Sequence, residues 1–407
     1  MPIQTRRAIV IGGSIGGLFA AALLRRAGWD THVYERVGVD LSGRGAGIVT
    51  HPEMVEALKA AGANPGDDLG VFIQDRRTLD RHGNVIEEYH CPQTATSWNR
   101  LLQMLRDSFP ADHYHRGKEL VAIETTQEIA VARFADGSSA EAELIVGADG
   151  FRSTVRNQFL PDVKPIYAGY VAWRGLVEES ALPPIAHRDL FPYFAFCLPP
   201  GEQMLGYPVA GPNDDLRPGH RRYNFVWYRP ADEDSTLQRL LTDETGHIHS
   251  VSIPPPLIAR STIAEMLSES ERVLAPQFQE LVRVTEQPFL QPIYDLESPR
   301  MAFPRIALVG DAAFVARPHV GGGVAKAAQD AMTLVRALTV EADLDAALRR
   351  FEAERIAVGR RIVDRARRLG SYMRTRFNTA EERALAERHQ TPEAVMSETA
   401  LLNFLRE

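Results

Sequence analysis

Ala8-Ile9-Val10-Ile11-Gly12-Gly13-Ser14-Ile15-Gly16-Gly17-Leu18 is the stretch that decides the fold. Four apolar residues in a row suit a short strand buried on both faces, as in a parallel sheet. Glycines follow at once, and Leu18 to Arg26 then has the composition of a helix that Gly28 ends. Thr31 to Glu35 reads as a second strand, completing a βαβ unit. In such a unit the glycines turn the chain sharply, and the helix N-terminus offers backbone N–H groups to a pyrophosphate. Gly12, Ser14, Ile15, Gly16 and Gly17 are therefore candidate cofactor contacts, with Ser14 standing where the pattern has its second glycine. Glu35, at the end of the second strand, is placed to accept hydrogen bonds from a ribose. The alternatives are a glycine turn without a ligand and a surface carboxylate at Glu35.

Outward from this unit the chain has 407 residues, more than one hydrophobic core usually serves. Apolar residues make up 44% and charged residues 24%, which is ordinary globular composition. A net charge of −7 argues against a nucleic-acid partner. No stretch approaches a membrane span, and no cleavable signal precedes the first strand. Cys91 and Cys197 are far apart, so no thiolate metal site is expected, and two unpaired thiols suit a reducing cytoplasm.

Two further turns resemble the first. Gly147-Ala148-Asp149-Gly150 follows a buried strand and leads to Ser153 and Arg156; Gly310-Asp311-Ala312-Ala313 follows another. Pro318, His319 and Gly321-Gly322-Gly323 come next, then a helix from Val324 to Leu338. An Asp at a strand end can hold a polyol hydroxyl, and a glycine-rich helix start can lie against a phosphate or an electron-rich ring. As alternatives, Asp149 and Asp311 serve as helix caps, and His319 is a loop histidine bonded to backbone. Between the second and third turns, Tyr170 to Val177, Phe191 to Leu198, Met204 to Val209 and Tyr223 to Tyr228 read as strands of an inserted antiparallel sheet. Leu344 to about Met373 has helical apolar spacing, and the last thirty or so residues read as a polar tail or arm.

With all three turns in this order, the chain resembles the class A flavoprotein monooxygenases, the para-hydroxybenzoate hydroxylase fold, from about Arg7 to about Met373. Gly45-Ala46-Gly47-Ile48, Tyr167 to Gly175 and Arg317-Pro318-His319 support the resemblance. It implies an α/β fold: a Rossmann-like FAD-binding domain over 1–165 and 297–375, a long helix ending it, an antiparallel-sheet substrate domain at 166–296, and a tail at 376–407. It implies bound FAD, with NADH or NADPH as co-substrate, and transfer of oxygen from O2 through a flavin hydroperoxide. The substrate expected is a small hydroxylated aromatic or N-heteroaromatic ring, dihydroxypyridine-like first. Glu35 and Arg36, Arg44 and Gly47, Arg100, Asp149, Asp311, Pro318 and Gly321 through Val324 and Ala325 are the cofactor residues it suggests. His319 is the expected base, because an imidazole exchanges protons near neutrality. His51, Tyr207 and Phe225 are the candidate substrate contacts, although strand alternation lets only some sheet aromatics face a flavin. The oligomeric state is open, a homodimer being the expectation.

Two departures from the family pattern stand out. Many relatives have an Arg three residues before one Leu and seven before another; Leu101 and Leu105 put Trp98 there, with Arg100 displaced by two. Phe314 stands where many relatives have His. A nicotinamide dehydrogenase would leave the second and third turns unexplained. A flavin halogenase would want a WxWxIP motif, which is missing; an oxidase or a non-catalytic flavin-binding protein is the remaining alternative.

Overall fold

A computed structural model describes residues 6–41, 47–66, 69–374 and 377–406. Arg7–Ile11 lies at the centre of a six-stranded sheet, paired in parallel with Leu144–Gly147 on one side and Asp30–Glu35 on the other. Ile306–Leu308 and Tyr114–Arg116 extend it in parallel, and Ala302–Phe303 closes one edge antiparallel. Ala8, Ile9 and Val10 are fully buried, as an unbroken apolar run in a covered sheet requires. Helices Ile15–Arg26, Gly323–Val340 and Leu344–Leu369 share one core with this sheet, through Leu18, Phe19, Leu334 and Phe351.

The second sheet has nine strands: Phe314–Val315, Phe289–Glu297, Ile166–Glu178, Arg222–Pro230, Gln203–Val209, Phe194–Cys197, Val71–Leu79, Val85–Ser97 and Gly47–Val49. Every neighbouring pair is antiparallel except Phe194–Cys197 with Val71–Leu79. One face packs on helices Pro184–Leu190, Arg260–Val273 and Pro276–Arg283. The sheet thus recruits strands from well before residue 166. Val85–Ser97 is exposed along much of its length and carries Glu87, Glu88 and His90, so no apolar alternation marks it.

The end of the chain is more ordered than its polar composition suggests. Ala380–His389 and Pro392–Glu398 are helices started by Thr379 and Thr391, whose side chains accept from Glu382 and Ala394 N–H. Val395 and Met396 pack into the core under the second sheet. Among the described residues, no helix is long and apolar enough to cross a membrane.

Candidate active site

The three turns meet at the C-terminal ends of the parallel strands. Gly12 has φ +103°, and a Cβ there would sit 2.4 Å from the Ala148 carbonyl oxygen, so the first two turns touch only because the residue is glycine. A Cβ on Gly17 would lie 1.9 Å from the Gly12 carbonyl oxygen, the close helix-to-strand packing that a dinucleotide turn needs. Ser14 is the N-cap of Ile15–Arg26, yet its side chain makes no capping bond and stands on a cavity wall. Glu35 is buried and accepts from Gly13 N–H at 2.7 Å and Val37 N–H at 2.9 Å, leaving further lone pairs for another donor.

Arg156 staples the second turn to the third, donating to the Phe151 carbonyl at 2.8 Å and to the Ala312 carbonyl at 3.2 Å. Buried Asp330 anchors the third turn: it accepts from Gly310 N–H at 2.9 Å and Arg355 Nε at 2.6 Å, with Lys326 Nζ 3.5 Å away. Asp311 differs from its neighbours. Its side chain makes no hydrogen bond to a described residue and is exposed to the cavity. Desolvation by the surrounding cavity walls pushes its pKa up, against the pull of Lys326.

The cavity has a volume of about 740 Å³ and runs from Ser14, Ile15 and Gly16 past Asp311 and Gly321–Gly323 to the inner face of the second sheet. Its parts match those of FAD. Free N–H groups at the start of Ile15–Arg26 suit a pyrophosphate. The open carboxylate of Asp311 suits a polyol. Over Gly323 a Cβ would meet nothing within 4 Å, which leaves space for a flat ring.

At the far end Phe194, Leu205, Val226, Tyr207, Tyr228, Gln291 and Arg174 form an apolar pocket with a polar corner. Arg174 Nη1 donates to Gln291 Oε1 at 2.9 Å, while its Nε is buried without a partner among the described residues. The Tyr207 hydroxyl donates to the Gly47 carbonyl at 2.9 Å, and burial pushes its pKa up to about 12. Tyr228 is likewise raised by burial, and its hydroxyl makes no hydrogen bond to a described residue.

Comparison with known proteins gives this geometry a family. Residues 5–164 and 296–366 match the family described as FAD binding domain, and residues 167–295 match FAD binding domain-like. The chain is 34% identical over 381 residues to 2,6-dihydroxypyridine 3-monooxygenase of Paenarthrobacter nicotinovorans, spanning 91% of this chain and 92% of that one. The chain belongs to the class A FAD-dependent aromatic monooxygenases. Among solved structures, 2,6-dihydroxypyridine-3-hydroxylase from Arthrobacter nicotinovorans superposes with a TM-score of 0.85 at 32% identity, covering 93% of this chain and 96% of the other. HpxO from Klebsiella pneumoniae, in complex with FAD and uric acid, superposes with a TM-score of 0.74 at 25% identity and 97% coverage of both chains. FAD is the cofactor of this monooxygenase and NAD(P)H its co-substrate.

Within this monooxygenase fold, several residues stand elsewhere than expected. Ser14, Ile15, Gly16, Gly47, Asp311, Pro318, Gly321, Gly322, Gly323, Val324 and Tyr207 line the cavity. Gly12, Gly17 and Glu35 are buried and outside the cavity lining, Ala325 turns into the core, and Arg36 is exposed at the strand end. Arg44 lies outside the described residues. Arg100 is not among the lining residues; its N–H is taken by the Ser97 cap and its Nε is buried without a partner among the described residues, while Trp98 lines the cavity. Asp149 caps Thr154–Phe159, accepting from Ser153 Oγ at 2.5 Å and from Thr154 and Val155 N–H at 2.6 and 3.1 Å. Capping was the alternative for it, and three donors already engage its carboxylate.

Phe225 is corrected by strand parity. Arg222–Pro230 turns Val226 and Tyr228 to the cavity, which sends Tyr223, Phe225 and Trp227 into the opposite core. His51 is buried as well, with Nε2 3.0 Å from the Gly321 carbonyl oxygen and a pKa lowered by burial; it holds the loop instead of facing a ring. His319 sits behind the wall, its Nε2 2.8 Å from the Tyr170 hydroxyl. Burial, reinforced by Arg317, pushes its pKa down to about 3, so it does not exchange protons near neutrality. The residues missed were Arg174, Gln291, Tyr228 and Asp330. Only Arg174 carried a signal, as a lone charge inside the apolar strand segment Val171-Ala172-Trp173-Arg174-Gly175.

Proposed function

We propose that this monooxygenase hydroxylates a small N-heteroaromatic ring bearing hydroxyl groups, dihydroxypyridine-like, and binds it as an anion. The observation that carries the reading is the Arg174 guanidinium, with an unpartnered buried Nε, in a pocket otherwise walled by Phe194, Leu205, Val226 and aromatic rings. Identity of 34% to a relative named for 2,6-dihydroxypyridine supports the ring class.

Bound FAD supplies the redox chemistry: two electrons come from NAD(P)H, one atom of O2 goes to the ring and the other to water. The chain's part is to hold, charge and enclose. With FAD bound, the N–H groups at Ser14 to Gly16 would hold the pyrophosphate, Glu35 a ribose hydroxyl, Asp311 the polyol, and Gly321 to Gly323 the ring edge. Arg174 favours the ionised hydroxyl of the substrate, lowering its pKa by opposite charge in a site screened from water. An ionised hydroxyl makes the ring richer in electrons, which electrophilic oxygen transfer needs. That assigns to a fixed cation the task first expected of His319. Tyr228 and Gln291 orient the ring, and the apolar wall keeps water away.

The chain is read as an FAD-binding part at 1–165 and 297–375, a ring-binding part at 166–296 and a tail at 376–407. Both cysteines are free, which supports a reducing, cytoplasmic location, and a homodimer is the assembly to test by light scattering. The function itself is tested with a panel of hydroxylated pyridines, benzoates and urate. A dihydroxypyridine should stimulate NAD(P)H oxidation and give hydroxylated product; stimulation only by benzoates or urate would replace the ring class.

A further inference from the structure

Arg76 is fully buried, although no carboxylate pairs with it among the described residues. An isolated buried cation is costly, so its partners have to supply negative potential in another form. They include two carbonyl oxygens at the end of helix Pro392–Glu398, with Arg76 Nη1 donating to Met396 at 2.5 Å and to Thr399 at 2.8 Å, while Nη2 donates to the Gln93 side chain and Cys91 lies within hydrogen-bonding reach. The last carbonyls of a helix lack intrahelical partners and carry the negative end of its dipole. Burial lowers the Arg76 pKa to about 10, which leaves it charged at neutral pH.

The segment so held reaches the cavity. Thr399 and Ala400 line it beside Gly321 and Gly322. Ala400 N–H donates to the His319 carbonyl at 2.7 Å, and Gln93 Nε2 donates to the Ala400 carbonyl at 3.0 Å. Ala400 adopts φ +55°, a conformation L residues rarely take, and packs where a Cβ on Gly321 would be 2.7 Å from its own. Leu402 covers Gly322 in the same way, at 2.8 Å. On the other side of the loop His51 holds the Gly321 carbonyl. Arg76 also lies 5.0 Å from the centre of the Phe194 ring, which is itself part of the pocket wall.

We propose that the tail segment Thr399–Leu402 belongs to the active site, and that Arg76 is a positioning residue that clamps it onto the Gly321–Gly322 loop where flavin and substrate meet. This rests on the cavity holding FAD, and not on which ring is hydroxylated.

The test compares Arg76→Met, Arg76→Lys and Leu402→Ala in the full chain with the wild type, and with Leu281→Ala as a control core deletion remote from the cavity. Three quantities are read: hydrogen exchange of the 396–402 amides, the dissociation constant of FAD from the apoprotein, and the share of oxidised NAD(P)H recovered as hydrogen peroxide. Arg76→Met should speed exchange at Ala400 by at least about tenfold, since the bonds that hold the neighbouring Met396 and Thr399 carbonyls are gone. It should also weaken FAD by about tenfold, because a loop no longer preorganised must be ordered on binding. The peroxide share should rise, and Arg76→Lys should recover part of each change. Leu281→Ala should lower stability and leave all three unchanged. If Arg76→Met does not fold, Leu402→Ala, which removes the Gly322 contact and leaves Arg76 in place, should weaken FAD and raise peroxide. Faster tail exchange with wild-type FAD affinity and peroxide share would overturn the proposal, as would unchanged exchange at Ala400. Exchange and FAD affinity decide this even if every ring tested fails as a substrate.

Discussion

His319 and Tyr170 share a hydrogen bond of 2.8 Å behind the cavity wall, and the imidazole there stays neutral to about pH 3. The unfolded chain takes up a proton at this residue near pH 6.5, while the folded chain does not. The resulting stability is present above pH 6.5 and is lost as pH falls toward 3. His319→Gln should therefore flatten the loss of stability between about pH 7.5 and about pH 5. Urea unfolding at both values checks it; equal slopes for wild type and variant would show that His319 is protonated in the folded protein. The pH profile of ring hydroxylation should keep its shape in the variant.

Among the described residues, none donates a hydrogen bond to the Asp311 carboxylate. Asp311→Asn should leave apoprotein unfolding unchanged or slightly more favourable to the fold. FAD should bind more weakly by about 10- to 100-fold, the scale of one charge-assisted hydrogen bond. Fluorescence titration of apoprotein with FAD measures it, and unchanged affinity would remove Asp311 from the cofactor site.

Two glycines should respond oppositely to an added methyl. Gly12→Ala places Cβ 2.4 Å from the Ala148 carbonyl oxygen at φ +103° and should destabilise the fold by at least about 2–3 kcal/mol. Gly323→Ala meets nothing within 4 Å and lies at a helix start, so the apoprotein should be no less stable. Its FAD affinity should nevertheless fall, because the open space is where a ring would lie. Thermal melts with and without FAD separate the two; a Gly323→Ala protein that binds FAD normally would place the ring elsewhere.

Arg174→Met should raise KM for the ring by about 10- to 100-fold, from loss of a charged hydrogen bond. The pH at which substrate binds best should also move upward, since the cation no longer favours the ionised ring. Arg174→Lys should restore part of both effects. A change in kcat alone, with KM and its pH dependence intact, would mean that Arg174 does not touch the ring.

The three glycine turns were legible because each is a local device: an apolar strand, a turn only glycine can make, and a helix start. The place of Asp311 on the cavity wall was legible for the same reason. The ring pocket was less so. Gln203–Val209 is buried at every position, so its pattern does not say which side faces a ligand, and Phe225 was taken from the wrong side of the neighbouring strand. His319 was misplaced because a histidine beside a glycine loop says nothing about which way its ring points. The tail was read as an arm because its helices are polar outside and bury only a few residues such as Val395 and Met396, while Arg76, more than 300 positions earlier, supplies the contact that docks it.

The central claim is that one oxygen atom of O2 reaches a small hydroxylated ring held against Arg174. The most direct measurement supplies the purified flavoprotein with NAD(P)H, 2,6-dihydroxypyridine and ¹⁸O-labelled O2, and follows product mass and peroxide together. One labelled oxygen per product molecule is expected, with one NAD(P)H consumed for each. Oxygen recovered entirely as hydrogen peroxide, with no labelled product from any ring in the panel, would contradict it.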